Sequence, residues 1–156
     1  MTETVLSITL PEPFLLLNRT MRMHPMQVRK YQQRMAWQMR AALGALSVGQ
    51  MAPMARAHVR IERHSVGVPD QDGLHGGAKQ VIDCLLPVGK PFLRGGKYVF
   101  PHPCGIGVVA DDGPGVMVQE VVSVRVPRRD LQRTVVTITA LPTAGDGTEA
   151  LMEEDG

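Results

Sequence analysis

The sequence predicts an α+β (mixed α/β) fold: a four-stranded mixed sheet with two main helices packed on it, in a single domain. Three observations predict it. The 156 residues suffice for one core and are too few for two ordinary ones. Two segments carry apolar residues at helical spacing, and four short segments read as strands between proline and glycine breaks. Their order is strand, helix, strand, helix, strand, strand.

Val5 to Leu10 reads as a short strand, closed by Pro11-Glu12-Pro13. Phe14 to Met26 reads as an extended basic loop. A long helix runs from about Gln27 to Leu46, with Val28, Tyr31, Met35, Met39, Ala42, Leu43 and Leu46 on its apolar stripe and Gly49 at its end. The methionines read as core filler. Ala57 to Val66 alternates: Val59 and Ile61 point one way, and His58, Arg60, Glu62 and His64 the other. Val68-Pro69 breaks this strand. A second helix carries Leu74, Ala78, Val81, Ile82 and Leu85 on one stripe. Leu86 to Gly107 is loop-like, and a loop this long in a compact domain is usually functional or mobile. Val116 to Val126 and Arg133 to Leu141 are two further strands, expected to form a hairpin across Pro127 to Gln132. Residues 1–142 make the domain. Residues 143–156 are small, polar and acidic, and are expected to be a disordered tail.

Composition narrows the class. With 44% hydrophobic and only 4% aromatic residues, the core must be built from Val, Leu, Ile, Ala and Met. No apolar run approaches the ~18–20 residues of a membrane span, and Met1 to Leu10 lacks the pattern of a secretory leader. Two cysteines, Cys84 and Cys104, do not make a disulfide framework, so a reduced cytoplasmic setting is expected. The net charge of +2 hides an asymmetry: Asp146, Glu149, Glu153, Glu154 and Asp155 crowd the end of the chain. Residues 13–61 contain no acid at all, yet hold Arg19, Arg22, Arg29, Lys30, Arg34, Arg40, Arg56 and Arg60. Such a half suits a phosphate backbone, because each neutralised phosphate releases counterions. A solvated basic face is the plainer alternative.

Half of the acids outside the tail sit in two short segments, Asp70, Asp72 and Asp83, then Asp111 and Asp112. Asp70 and Asp72 stand at a strand end, where extended geometry puts both side chains on one side. Close like charges are costly unless a cation or proton neutralises them. On the second helix, Asp72, Lys79 and Asp83 fall within about 40° of one another, opposite the apolar stripe. Gly76 and Gly77 interrupt it, either admitting a nucleic-acid backbone or marking a late helix start. Each acid also has a structural reading: Asp72 as a helix cap, Lys79 and Asp83 as an ordinary surface pair, Asp111-Asp112-Gly113-Pro114 as a turn.

Asp70-Gln71-Asp72-Gly73-Leu74, followed by Lys79 and Asp83-Cys84-Leu85, resembles the signature of the RusA family of Holliday junction resolvases. Gly107-Val108-Val109-Ala110-Asp111-Asp112 resembles that family's second acidic block. Ile8-Thr9-Leu10-Pro11 and Leu17-Asn18-Arg19 match its opening strand and loop, so the resemblance covers residues 5–141. It implies a homodimeric, Mg²⁺-dependent (or Mn²⁺-dependent) endonuclease of a bacterial or phage-infected cell that resolves four-way DNA junctions by paired symmetrical nicks, in recombination and repair. Asp70, Asp72 and Asp112 would be its essential carboxylates and metal ligands, Lys79 its essential lysine, and Asp83 and Asp111 supporting neighbours. Asn18, Arg19, Arg22, Arg29, Lys30 and Arg34 would grip the branched DNA. The chain departs from the pattern at Gly73, where the family has Asn, in the seven-residue spacing from Asp72 to Lys79, and in the long 86–105 loop, whose Lys90, Arg94 and Lys97 could touch DNA. Gly73 keeps a non-catalytic DNA-binding protein open as an alternative, and a broader flap or fork nuclease is another. A zinc site from Cys84, Cys104, His75 and His102 is a weak idea, since no close Cys-x-x-Cys pair exists.

Overall fold

The computed structural model describes residues 5–44 and 52–143. Leu46, Gly49 and residues 144–156 of the acidic tail lie outside the described residues. Strand β1 (Val5–Leu10) buries Leu6, Ile8 and Leu10 on one side. The segment expected to be an extended loop instead contains a one-turn helix, α1 (Leu17–Met21). The Thr20 hydroxyl donates to the Leu17 carbonyl at 2.9 Å, a local bond that favours the turn over extended chain.

Helix α2 (Pro25–Leu43) starts two residues earlier than its apolar stripe suggests. His24 caps it: Met26 N–H donates to His24 Nδ1 at 3.1 Å, and His24 N–H donates to the Gln27 side chain at 3.2 Å. Pro25 at the first helical position costs no hydrogen bond. Gly44, with φ +62°, ends the helix. Tyr31, Met35, Ala36, Met39 and Leu43 face the core, while Ala42 is exposed.

Strand β2 (Ala57–Ser65) leads through a short turn to helix α3 (Gln71–Leu85). Its expected stripe of Leu74, Ala78, Val81, Ile82 and Leu85 is buried throughout. The long loop that follows holds a small antiparallel hairpin, β3 (Phe92–Arg94) and β4 (Lys97–Val99), turning at Gly95-Gly96. It then returns to the end of α3: Val108 and Val109 N–H donate to the Leu85 carbonyl at 2.8 and 3.1 Å. Strands β5 (Met117–Arg125) and β6 (Arg133–Ala140) complete the chain.

The main sheet has the order β1-β6-β2-β5. β6 lies antiparallel between β1 and β2, and β5 pairs parallel with β2. The expected β5–β6 hairpin is therefore wrong. A 3-10 turn at Arg129–Leu131 carries the chain past the end of β2 to its other side. That end is pinned by Val126 N–H to Ser65 O at 3.0 Å and by Val66 N–H to the Gln132 side chain at 3.1 Å. β2, α3 and β5 thus form a parallel crossover unit, which needs the long connection that a hairpin does not. α2 and α3 cover one face over a core centred on Ile8, Met39, Ile61, Val81, Leu85 and Ile138.

Candidate functional site

Asp70 does not stand at a strand tip beside Asp72. It is the N-cap of α3, and its Oδ1 accepts from Gly73 N–H at 3.2 Å. Asp72 is one residue inside the helix, exposed, in the first turn where the helix dipole favours an acid. The capping role proposed for Asp72 therefore belongs to Asp70. A side chain on Gly73 would run into the Asp70 carboxylate, so glycine here leaves the cap in place.

Gly76 and Gly77 are interior to α3, and the protein itself fills the space they leave. A Cβ on Gly76 would strike the Leu17 side chain, and one on Gly77 the Leu15 carbonyl oxygen and, at 3.0 Å, Leu16 Cα. Neither of the two readings given for them holds: they let the α1 segment close onto α3.

Further along the same face, Lys79 is exposed and Asp83 is half-buried. Burial pushes the Asp83 carboxyl above its ordinary range, opposed by His102 and Lys79 and reinforced by the negative charge of Asp112. His102 Nδ1 lies 3.9 Å from Asp83 Oδ1. Asp112 is thus the weakest of the charges that bear on Asp83, and it comes from a distant segment. The buried Val108 and Val109 anchor that segment, and Met54, bridged to Val109, receives Ala110 N–H at 2.9 Å. Asp111 Oδ1 accepts from Asp112 N–H at 2.8 Å, and both residues are exposed.

Among the described residues, no group of three or more His, Cys, Asp or Glu side chains is placed to hold a metal ion. Of the zinc set, Cys84, His102 and Cys104 line one small cavity with Asp83, while His75 stands apart and pairs with Gln71 at 3.1 Å; His102 faces Asp83, and the Cys84 thiol donates to Gln32 O at 3.6 Å. Burial pushes that thiol up to about 12, so without a metal it is a protonated thiol at neutral pH.

The basic residues divide into two places. Asn18, Arg19 and Arg22 line a cavity of about 300 Å³ with Leu15, Leu16 and Arg63. An adjoining cavity of about 480 Å³ shares Leu15 and Arg19 and adds Lys30, Arg34, Gln27 and Tyr31. Arg34 pairs there with Glu12 at 3.2 Å and stands over the Tyr31 ring. Arg29 is apart, lining a separate cavity with Trp37, Arg40 and Cys104. Sequence reasoning missed Arg63, a lone residue outside the motifs, and named His102 only for a zinc site, not as the neighbour of Asp83; strand pairing and the loop's return bring the two in.

No family model matches the sequence, and comparison with curated proteins finds no match. Among the described residues no helix is long and apolar enough to cross a membrane.

Proposed function

We propose that this chain is a divalent-metal-dependent, structure-specific DNA endonuclease of the RusA type, acting on four-way junctions. The observation that supports the reading is the pair of hydrogen bonds from Val108 and Val109 N–H to the Leu85 carbonyl, which returns the segment leading into Asp111 and Asp112 to the helix that carries Asp72, Lys79 and Asp83. The arginine-lined cavities on the α1 side, with Glu12 as their one acidic lining residue, supply the complementary surface for a phosphate backbone.

By donor chemistry the three carboxylates suit a hard cation, although among the described residues they do not form a cluster around one site. Asp70, Asp72 and Asp112 offer only carboxylate oxygens, and Mg²⁺ is commonly held by one or two carboxylates with substrate phosphate and water completing the shell. Asp70 uses Oδ1 for its cap, which leaves Oδ2 for a cation. A bound ion would supply Lewis-acid stabilisation of the phosphate and acidify a water. Lys79 would offset negative charge developing on the phosphoryl oxygens. The arginines would hold the strands without reading sequence. A homodimer would present two such sites to a near-twofold junction, accounting for paired nicks.

The test is cleavage of a fixed four-way junction with and without Mg²⁺, beside flap, fork and linear substrates. Paired nicks on the junction that vanish in Asp70→Asn and Asp112→Asn, with binding retained, are expected. Full nicking by Asp70→Asn would overturn the metal role. Equal cutting of flaps or forks would move the assignment to a broader nuclease. A second reading, a non-catalytic DNA-binding protein, is favoured by the structural use of Asp70 as a cap. It predicts salt-sensitive binding and no Mg²⁺-dependent product.

A further inference from the structure

We infer that Arg63, with Arg19, Arg22 and Asn18, forms a subsite for a single backbone phosphate of a bound nucleic-acid strand. The inference rests on the DNA-binding part of the proposed function and names a contact outside its acidic site. Arg63 sits on β2 directly opposite Thr134 of β6. Thr134 is fully buried; its hydroxyl accepts from Phe14 N–H at 2.8 Å and donates to Glu12 O at 2.8 Å, fixing the chain that crosses there. Arg63 Nε in turn donates to Phe14 O at 2.7 Å, and its guanidinium lies 5.7 Å from the centre of the Phe14 ring. One nitrogen and one face of the guanidinium are thus committed to a rigid frame, while Arg63 also lines the cavity shared with Arg19 and Arg22.

Among the described residues no carboxylate pairs with Arg63, Arg19 or Arg22. Burial lowers the Arg63 pKa from the usual arginine value, opposed by Tyr31, so its charge is held partly out of water. Partly buried charge is costly unless paired. A phosphate oxyanion matches the guanidinium fork in shape and charge.

The place fits a strand running toward the acids. Leu16 lines the cavity, and a Cβ on Gly73 would come 3.8 Å from Leu16 Cβ. The α1 segment is therefore a common wall between the arginine cavity and the start of α3, where Asp70 and Asp72 stand. The second cavity continues it past Arg19 to Lys30. A phosphate held by Arg63 would fix one point of a strand whose neighbouring phosphates reach these flanks.

The test is fluorescence anisotropy of a labelled four-way junction in EDTA, over a salt series. Arg63→Gln is expected to bind about three- to tenfold more weakly and to lower the salt slope by about one. The Arg19→Gln/Arg22→Gln variant, altered only at exposed positions, is expected to lower the slope by about one as well, because the three arginines share one phosphate, even if Arg63→Gln folds poorly. Arg128→Gln, whose arginine already pairs with Asp130, should bind as the wild type does. Unchanged binding in folded Arg63→Gln, or an equal loss in Arg128→Gln, would overturn the subsite. Inorganic phosphate at constant ionic strength should not displace the strand at millimolar concentration. Displacement from wild type but not from Arg63→Gln would assign the pocket to free phosphate instead and overturn the strand contact. Nicking is read separately with Mg²⁺: a wild type that binds through Arg63 yet never cuts would overturn the nuclease and leave the subsite standing. A wild type that binds no nucleic acid would overturn both.

Discussion

Asp70 carries two roles that substitution separates. As N-cap it accepts from Gly73 N–H, and asparagine caps nearly as well, whereas alanine should cost about 1 kcal/mol. Asp70→Asn is thus expected to melt close to the wild type and Asp70→Ala several degrees lower, by thermal unfolding followed by circular dichroism. Both should lose nicking. Equal melting of the two variants would mean that the cap contributes nothing. Asp83 gives a pH signature. Its carboxyl pKa is raised in the fold, chiefly by burial, so the folded chain holds the proton more tightly than the unfolded chain. Stability associated with that proton is complete below the ordinary aspartate value of about 3.9 and is lost as pH rises through the raised one. The wild type should therefore lose stability relative to Asp83→Asn over that window. A constant difference between the two melting curves across it would contradict the burial of Asp83. Tyr31 offers a third check at this scale. Its hydroxyl accepts from Leu15 N–H at 3.0 Å, and burial pushes its pKa up to about 12. Tyr31→Phe leaves that amide without its partner and should cost about 1–3 kcal/mol in urea unfolding.

The elements test the fit of α1 against α3. Gly77 faces the Leu15 backbone, which cannot swing aside as a side-chain end can. Gly77→Ala should therefore destabilise by about 1–3 kcal/mol in urea unfolding, although alanine is the better helix former by about 1 kcal/mol. A more stable variant would show that the segment gives way easily. Sequence periodicity located α3 well, because its stripe is long and its neighbours polar. It located α2 less well at the ends, because capping by His24 and Gln27 falls outside the apolar pattern. It misjudged α1, a single turn too short to show a period. It also misjudged the last two strands. A short polar connection ordinarily means a hairpin, yet here it steps over β2. Nothing local in Pro127 to Gln132 encodes which neighbour each strand will pair.

At the scale of the whole molecule, the charge arrangement makes the broadest prediction. Arginines from α1, α2 and β2, with Lys30, line two cavities that share Leu15 and Arg19, with Glu12 as their acidic neighbour. DNA binding should weaken steeply between about 50 and 200 mM salt, as expected for several phosphate contacts. EDTA should abolish cutting while leaving this binding in place. Salt-insensitive association would contradict a backbone-led interface.

The sequence by itself determined the α+β class, the two helices, the four main strands, the aliphatic core and the concentration of basic residues away from the acidic tail. These follow from periodicity and composition, which are properties of neighbours along the chain. Only the tertiary structure decided that β6 inserts between β1 and β2, that Asp70 caps a helix, that Gly77 serves Leu15 and that Arg63 joins Arg19 and Arg22. Each depends on which distant segment fills the space beside a residue, a choice made when the whole core packs.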